Sequence, residues 1–183
     1  MHWTSLTALA GAAWLAVFAQ AWLDGIRNFL GASIDLIPGL MVYAGLSHGL
    51  NTVIALSLLA GLLADSLSAN PLGISILPLL LVGVMVYHYK DLLLREQTYA
   101  QFVLGVIGSA FAPILTVVLL TGMGQKPLLG WGSLWQLLAM ALGGGCFTPL
   151  WFVIFRRLDH AFKYQTVSEP SFRADREIER GRR

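Results

Sequence analysis

The chain has 183 residues, 56% of them hydrophobic and only 12% charged, with a formal net charge of +2. That composition, together with apolar runs approaching the ~20 residues that cross about 30 Å of hydrocarbon, excludes an ordinary soluble domain and predicts an all-α polytopic membrane protein. A transmembrane barrel is excluded as well, because Leu77 to Val86 and Val103 to Leu120 are apolar on every face instead of alternating.

In chain order, Leu6 to Leu23 forms the first expected span. Its end, Ala19-Gln20-Ala21, imitates a signal-peptidase site, but no Lys or Arg precedes the run, so the span is expected to be retained. A polar turn with Asp24, Arg27 and Asn28 follows. Ile34 to Leu67 as one straight helix would be about 50 Å long, well beyond the hydrocarbon core, and His48-Gly49-Leu50-Asn51 offers a break. Two short spans are therefore expected there, with Pro38-Gly39 kinking or unwinding the first. Ile74 to Tyr87, Phe102 to Leu120 and Trp135 to Phe155 complete a six-helix bundle, or five spans if Ile34 to Leu67 is continuous. Residues 1–157 thus form a transmembrane domain. Residues 158–183 set Lys163 and the Arg residues from Arg173 to Arg183 against Asp159, Glu169, Asp175, Glu177 and Glu179, with too little apolar content to fold, and are expected to be a disordered cytoplasmic tail.

Basic residues give the orientation. With six spans, Lys90, Arg95, Arg156, Arg157 and the basic tail share one side, and only Arg27 and Lys126 fall on the other, so both termini are expected in the cytoplasm. Five spans would keep the C-terminus inside and move the N-terminus out. Trp3, Trp22, Trp131, Trp135, Tyr87, Tyr89 and Tyr99 lie near span ends, as interface anchors do.

Little in the chain predicts catalysis. No His-Glu-x-x-His, paired Cys or closely spaced His pair supports a metal, and no phosphate-binding loop supports a nucleotide cofactor or nucleic-acid chemistry. Gly143-Gly144-Gly145 lies inside an apolar helix, where close helix packing is its expected use. The single Cys146 reads as a small packing residue. Asp24, Asp35 and Asp65 are the acids near membrane depth. The distinctive segment is Asp65-Ser66-Leu67-Ser68-Ala69-Asn70-Pro71-Leu72-Gly73, a carboxylate and a Pro/Gly turn between two apolar stretches. Asp65 could bind a substrate's cation, relay a proton or contact a partner, or it could cap the Ser66 to Pro71 segment. In the turn, Pro71 ends one element, Gly73 permits the reversal, and Leu72 is expected to plug back into the bundle. Small residues recur at four-residue spacing: Ala8, Ala12 and Ala16; Ser57 and Gly61 before Asp65; Gly105 and Ser109; Gly108 and Ala112. They are expected to line helix contacts, intramolecular ones by default.

Leu40-Met41-Val42-Tyr43, Gly61-Leu62-Leu63-Ala64-Asp65 and Pro71-Leu72-Gly73 followed by an apolar helix together resemble MreD, the rod shape-determining membrane protein family of bacteria, over residues 34 to 90. The resemblance implies a non-catalytic inner-membrane scaffold that binds the bitopic coiled-coil protein MreC, and through it MreB filaments and peptidoglycan synthases. Asp65, Pro71, Leu72 and Gly73 are the residues it would carry over, as partner- or ligand-binding candidates. Ala8, Ala12 and Ala16 also resemble the Ala-x-x-x-Ala stripe by which the six-helix S components of energy-coupling-factor vitamin importers dock. That alternative implies a substrate-binding subunit in place of a scaffold.

Overall fold

The computed structural model describes residues 3–22, 31–68, 70–90, 97–125 and 130–164. The expected turn at Asp24, Arg27 and Asn28, the basic Arg95 and Lys126, and the tail beyond residue 164 lie outside the described residues. By compactness the chain divides into Met1–Phe152 and Val153–Arg183. The second unit is helical as far as Tyr164, with Arg156, Arg157 and Leu158 exposed.

All regular structure among the described residues is helical: α1 (Trp3–Trp22), α2 (Ile37–Ser47), α3 (Leu50–Ser66), α4 (Ile76–Tyr89), α5 (Thr98–Gly122) and α6 (Trp131–Tyr164). The break foreseen in the long apolar stretch is present. His48 and Gly49 are extended, ending α2 and starting α3, and the Gly49 carbonyl accepts the first N–H groups of the new helix from Thr52 and Val53. Pro38 does not kink α2; it stands in the first turn, where its missing N–H is no loss. Two helices, Thr98–Gly122 and Trp131–Leu158, are long and apolar enough to cross a membrane.

The bundle is organised around α2. Every residue from Ile37 to Leu46 is buried, on all faces of the helix. Helices α1, α3, α4 and α5 each pack against α2. Helix α6 reaches it through the edge-to-face Tyr43 and Phe152 rings, 4.9 Å apart, and through Trp151 Nε1, which donates to the Leu36 carbonyl at 3.2 Å. Around this centre α1 meets α3, α3 meets α4 and α4 meets α5. The outward faces of the surrounding helices are apolar, carrying exposed Trp14, Leu15 and Phe18 on α1, Leu58 and Leu62 on α3, Ile107 and Val118 on α5, and Leu138 and Leu142 on α6. Tyr89, Tyr99, Trp131 and Trp135 are exposed near helix ends, as anchors at an interface would be.

Small residues set the helix separations. A methyl group built on Gly39 of α2 would stand 2.8 Å from Thr148 Oγ1, and one on Gly105 of α5 would stand 2.7 Å from Thr148 Cβ and 3.0 Å from the Gly145 Cα. Thr148 therefore occupies the space that two glycines vacate. Its hydroxyl donates to the Gly144 carbonyl at 2.8 Å, so it carries no unsatisfied group into the centre. One turn earlier on α6, Gly144 admits Ser109 of α5. The expected use of the triple glycine is borne out: Gly143 faces Ile34, Gly144 faces Ser109, and Gly145 faces Val106 and Phe102. Cys146, between these contacts and Thr148, is exposed, so it is not the packing residue expected of it.

Candidate functional site: the Asp65 turn and the adjoining cavity

Asp65 stands in the last turn of α3 and is 2% exposed. Its Oδ2 accepts the backbone N–H groups of Gly73 at 2.8 Å and Ser75 at 3.1 Å, and its Oδ1 accepts the Ser75 hydroxyl at 2.5 Å. The carboxylate accepts backbone N–H groups, but it does not cap the Ser66 to Pro71 segment as expected. Among the described residues no helix begins in that segment. The next helix begins at Ile76, and the carboxylate reaches across the turn to the groups that precede it. Charge-assisted bonds of this kind contribute about 1.5–3 kcal/mol each, which offsets the desolvation of the acid.

The rest of the turn follows from this clamp. Gly73 takes φ +93°, a left-handed conformation that a side chain would strain. Ser68 Oγ donates to the Asp65 carbonyl at 3.3 Å and accepts the Asn70 N–H at 3.2 Å, holding the descending strand of the turn to the end of α3. One helical turn before Asp65, Gly61 lies against the start of α4: an added methyl would come within 2.8 Å of the Ile76 Cα and 2.9 Å of its nitrogen. Gly61 and Asp65 thus act on neighbouring points of one partner, the first admitting the backbone of α4 and the second fastening the loop that leads to it. Pro71 is half-buried in mid-turn. Leu72 is 73% exposed, so it points outward and does not plug back into the bundle as expected. Residues 71 to 75 are bound to one another through Ile74 N to Pro71 O and Ile76 N to Gly73 O, both at 3.3 Å, and Leu72 takes the outward position on that tight turn.

The other small-residue candidates are spent inside the protein. Ala12, Ala16, Ser57, Gly105, Gly108, Ser109 and Ala112 are buried, and Ala8 is half-buried. Ser57 satisfies its hydroxyl on the Ile54 carbonyl at 2.8 Å.

Asp35 has a larger role than its sequence position suggested. Its Oδ1 accepts Gln20 Nε2 at 2.7 Å and the Ile37 N–H at 3.0 Å, tying the end of α1 to the first residue of α2. The signal was present in Asp35-Leu36-Ile37-Pro38, a short acid just before a proline-initiated helix. Asp35 also lines a cavity of about 780 Å³ that shares Asn70 and Ser75 with the Asp65 turn. The rest of its wall among the described residues comes from Ile37 of α2, Ala64 of α3, Pro78 and Leu79 of α4, residues of α5 between Ala112 and Leu120, Gly130, and residues of α6 between Ser133 and Met140. The cavity follows from the packing. Helices α5 and α6 touch where Gly105, Ser109, Gly144 and Gly145 face each other, and part beyond Ala112 and Pro113. No sequence signal marked this wedge, because it depends on where two helices separate.

No group of three or more His, Cys, Asp or Glu among the described residues is arranged to hold a metal ion. No known protein family, curated protein or solved structure matches the chain.

Proposed function

We propose that this protein is a non-catalytic, multi-pass scaffold of the bacterial inner membrane, of the kind the MreD resemblance implies, which helps organise peptidoglycan synthesis by binding an MreC-like bitopic partner and thereby MreB-like filaments and synthases. The observation that carries the reading is the Asp65 turn. Two of the three segments that carry the resemblance meet there: the acid is turned inward on Gly73 and Ser75, and the outward group is an aliphatic Leu72. A hydrogen-bonded turn that presents an apolar side chain suits recognition by another protein.

Membrane placement is supported by the apolar outer faces. A soluble bundle turns polar faces outward, whereas here large hydrophobic side chains occupy the exterior of the surrounding helices. Helix α2, at 11 residues, is about 16 Å long and shorter than the hydrocarbon core. That is tolerable for α2 itself, because its residues from Ile37 to Leu46 are buried against protein and not presented to lipid. Residues near the end of α3 and α5 and the start of α4 and α6 line one cavity, which suits alternating passages with that end external. Lys90, Arg156 and Arg157 then fall on the cytoplasmic side together with both termini.

The vitamin-importer reading gains one observation, the 780 Å³ cavity, which is of small-molecule size. It loses another, since Ala12 and Ala16 are buried and offer no free docking stripe on α1. The experiment that separates the two is purification of C-terminally tagged protein from native membranes in mild detergent, with co-eluting proteins identified by mass spectrometry. A single-span coiled-coil protein with cell-wall synthases is the expected result. Paired cytoplasmic ATPases with a transmembrane coupling subunit would replace the scaffold by an uptake component.

A further inference from the structure

The wedge between α5 and α6 has an uneven chemistry. Its wall on the α6 side, from Gly130 just before that helix to Met140, runs about 15 Å. Its walls are mostly aliphatic, and among the described residues that line it Asp35 alone is ionisable. Asp35 is half-buried in the cavity wall, and its backbone lies close to Gly144, where α6 meets Ser109 of α5. Both hydrogen bonds to the carboxylate use Oδ1, and Oδ2 has no hydrogen-bond or ion-pair partner among the described residues. Oδ2 is not among the buried polar atoms, so it is open to the cavity, and this acid in a mostly apolar wall has no counter-charge among the described residues that line it.

We propose that the wedge is a binding site for a small organic cation, an amine with an apolar body no longer than about 15 Å, whose ammonium rests on Asp35 Oδ2. An ammonium supplies both the missing charge and an N–H donor, and it holds the carboxylate in its ionised form. The apolar body fills the space between Leu79, Pro113 and Leu137, and Asn70 and Gln136 offer polar contacts beyond it. An alcohol of the same shape would supply the donor without the charge, and a carboxylic acid would oppose it. The site is independent of the partner proposed above but rests on membrane placement, because a bilayer is what makes the unpaired acid costly.

The test uses the full chain in phosphatidylcholine nanodiscs, titrated with 4-phenylbutylamine, 4-phenylbutanol and 4-phenylbutyrate. The amine is expected to bind about tenfold more tightly than the alcohol, the size of one charge-assisted hydrogen bond, and the acid not to bind. Asp35→Asn should erase the preference for the amine. Leu137→Trp, which fills the wedge without touching the helix cap, should remove binding of both amine and alcohol. Equal binding of amine and alcohol by the unaltered protein, no binding of the amine, or amine binding that survives Leu137→Trp would overturn the proposal while leaving the scaffold reading intact. A chain that does not enter nanodiscs at all would overturn membrane placement and this site together.

Discussion

Helices α5 and α6 are in close contact along one stretch and line a cavity along another, and the two stretches are built from different residues. In the closed stretch, Gly105, Ser109, Gly144 and Gly145 bring the backbones together around Thr148. In the open stretch, Pro113, Val117 and Leu120 face Leu134, Leu137 and Met140 across the cavity. Both stretches are strongly apolar, so hydrophobicity does not decide which one closes. In lipid, where apolar burial gives no preference for helix over hydrocarbon, side-chain size and shape decide it.

That contrast can be broken most severely from the closed stretch. Gly105→Ala would drive a methyl group into Thr148 and toward the Gly145 Cα, with Gly39 and α2 immediately behind. A loss of about 3 kcal/mol or more is expected from such overpacking, read as a lowered midpoint in denaturant titration of the detergent-solubilised protein. Removal of the α3–α4 clamp should come next. Asp65→Ala strands the Gly73 and Ser75 N–H groups in a buried site and should cost about 3 kcal/mol. Asp65→Asn should cost only about 1 kcal/mol, because the amide oxygen can take the place of Oδ2 and the Ser75 hydroxyl can turn from donor to acceptor. A large loss of partner binding in Asp65→Asn with stability retained would show that the charge, and not the cap, is what the site uses. Gly73→Ala, at φ +93°, should cost about 1 kcal/mol by the same assay. At the small end, Ile107→Ala on the exposed face of α5, away from the cavity, should change stability by less than about 0.5 kcal/mol.

Much of this architecture was legible in the residues. The break at His48-Gly49 and the packing use of Gly143-Gly144-Gly145 follow from local rules on polar interruptions and small residues. The end of α6 does not: the helix runs to Tyr164, past the expected Phe155 and into the stretch expected to be disordered. Nor does the central position of α2. Its face-by-face apolarity is no greater than that of helices meant to meet lipid, so periodicity cannot tell a core helix from a peripheral one in this class of protein. Asp65 was recognisable as an acceptor of backbone N–H groups, but not of which ones: its targets lie eight and ten residues ahead across a turn, outside the segment it was expected to cap and beyond the reach of helix-capping patterns. The outward direction of Leu72 depends on the same tertiary fastening. The bond between Gln20 and Asp35 joins residues on either side of a turn, and the wedge depends on the divergence of two helices that individually look uninterrupted.

Membrane placement with the Asp65 turn external underlies the site and the function alike. It is tested most directly by single-cysteine labelling in spheroplasts, with Cys146→Ser as background and Leu72→Cys and Tyr99→Cys as reporters, since both side chains are well exposed. A membrane-impermeant maleimide should label Leu72→Cys in intact spheroplasts and Tyr99→Cys only after lysis. Labelling of Tyr99→Cys before lysis, or protection of Leu72→Cys until lysis, would contradict this placement.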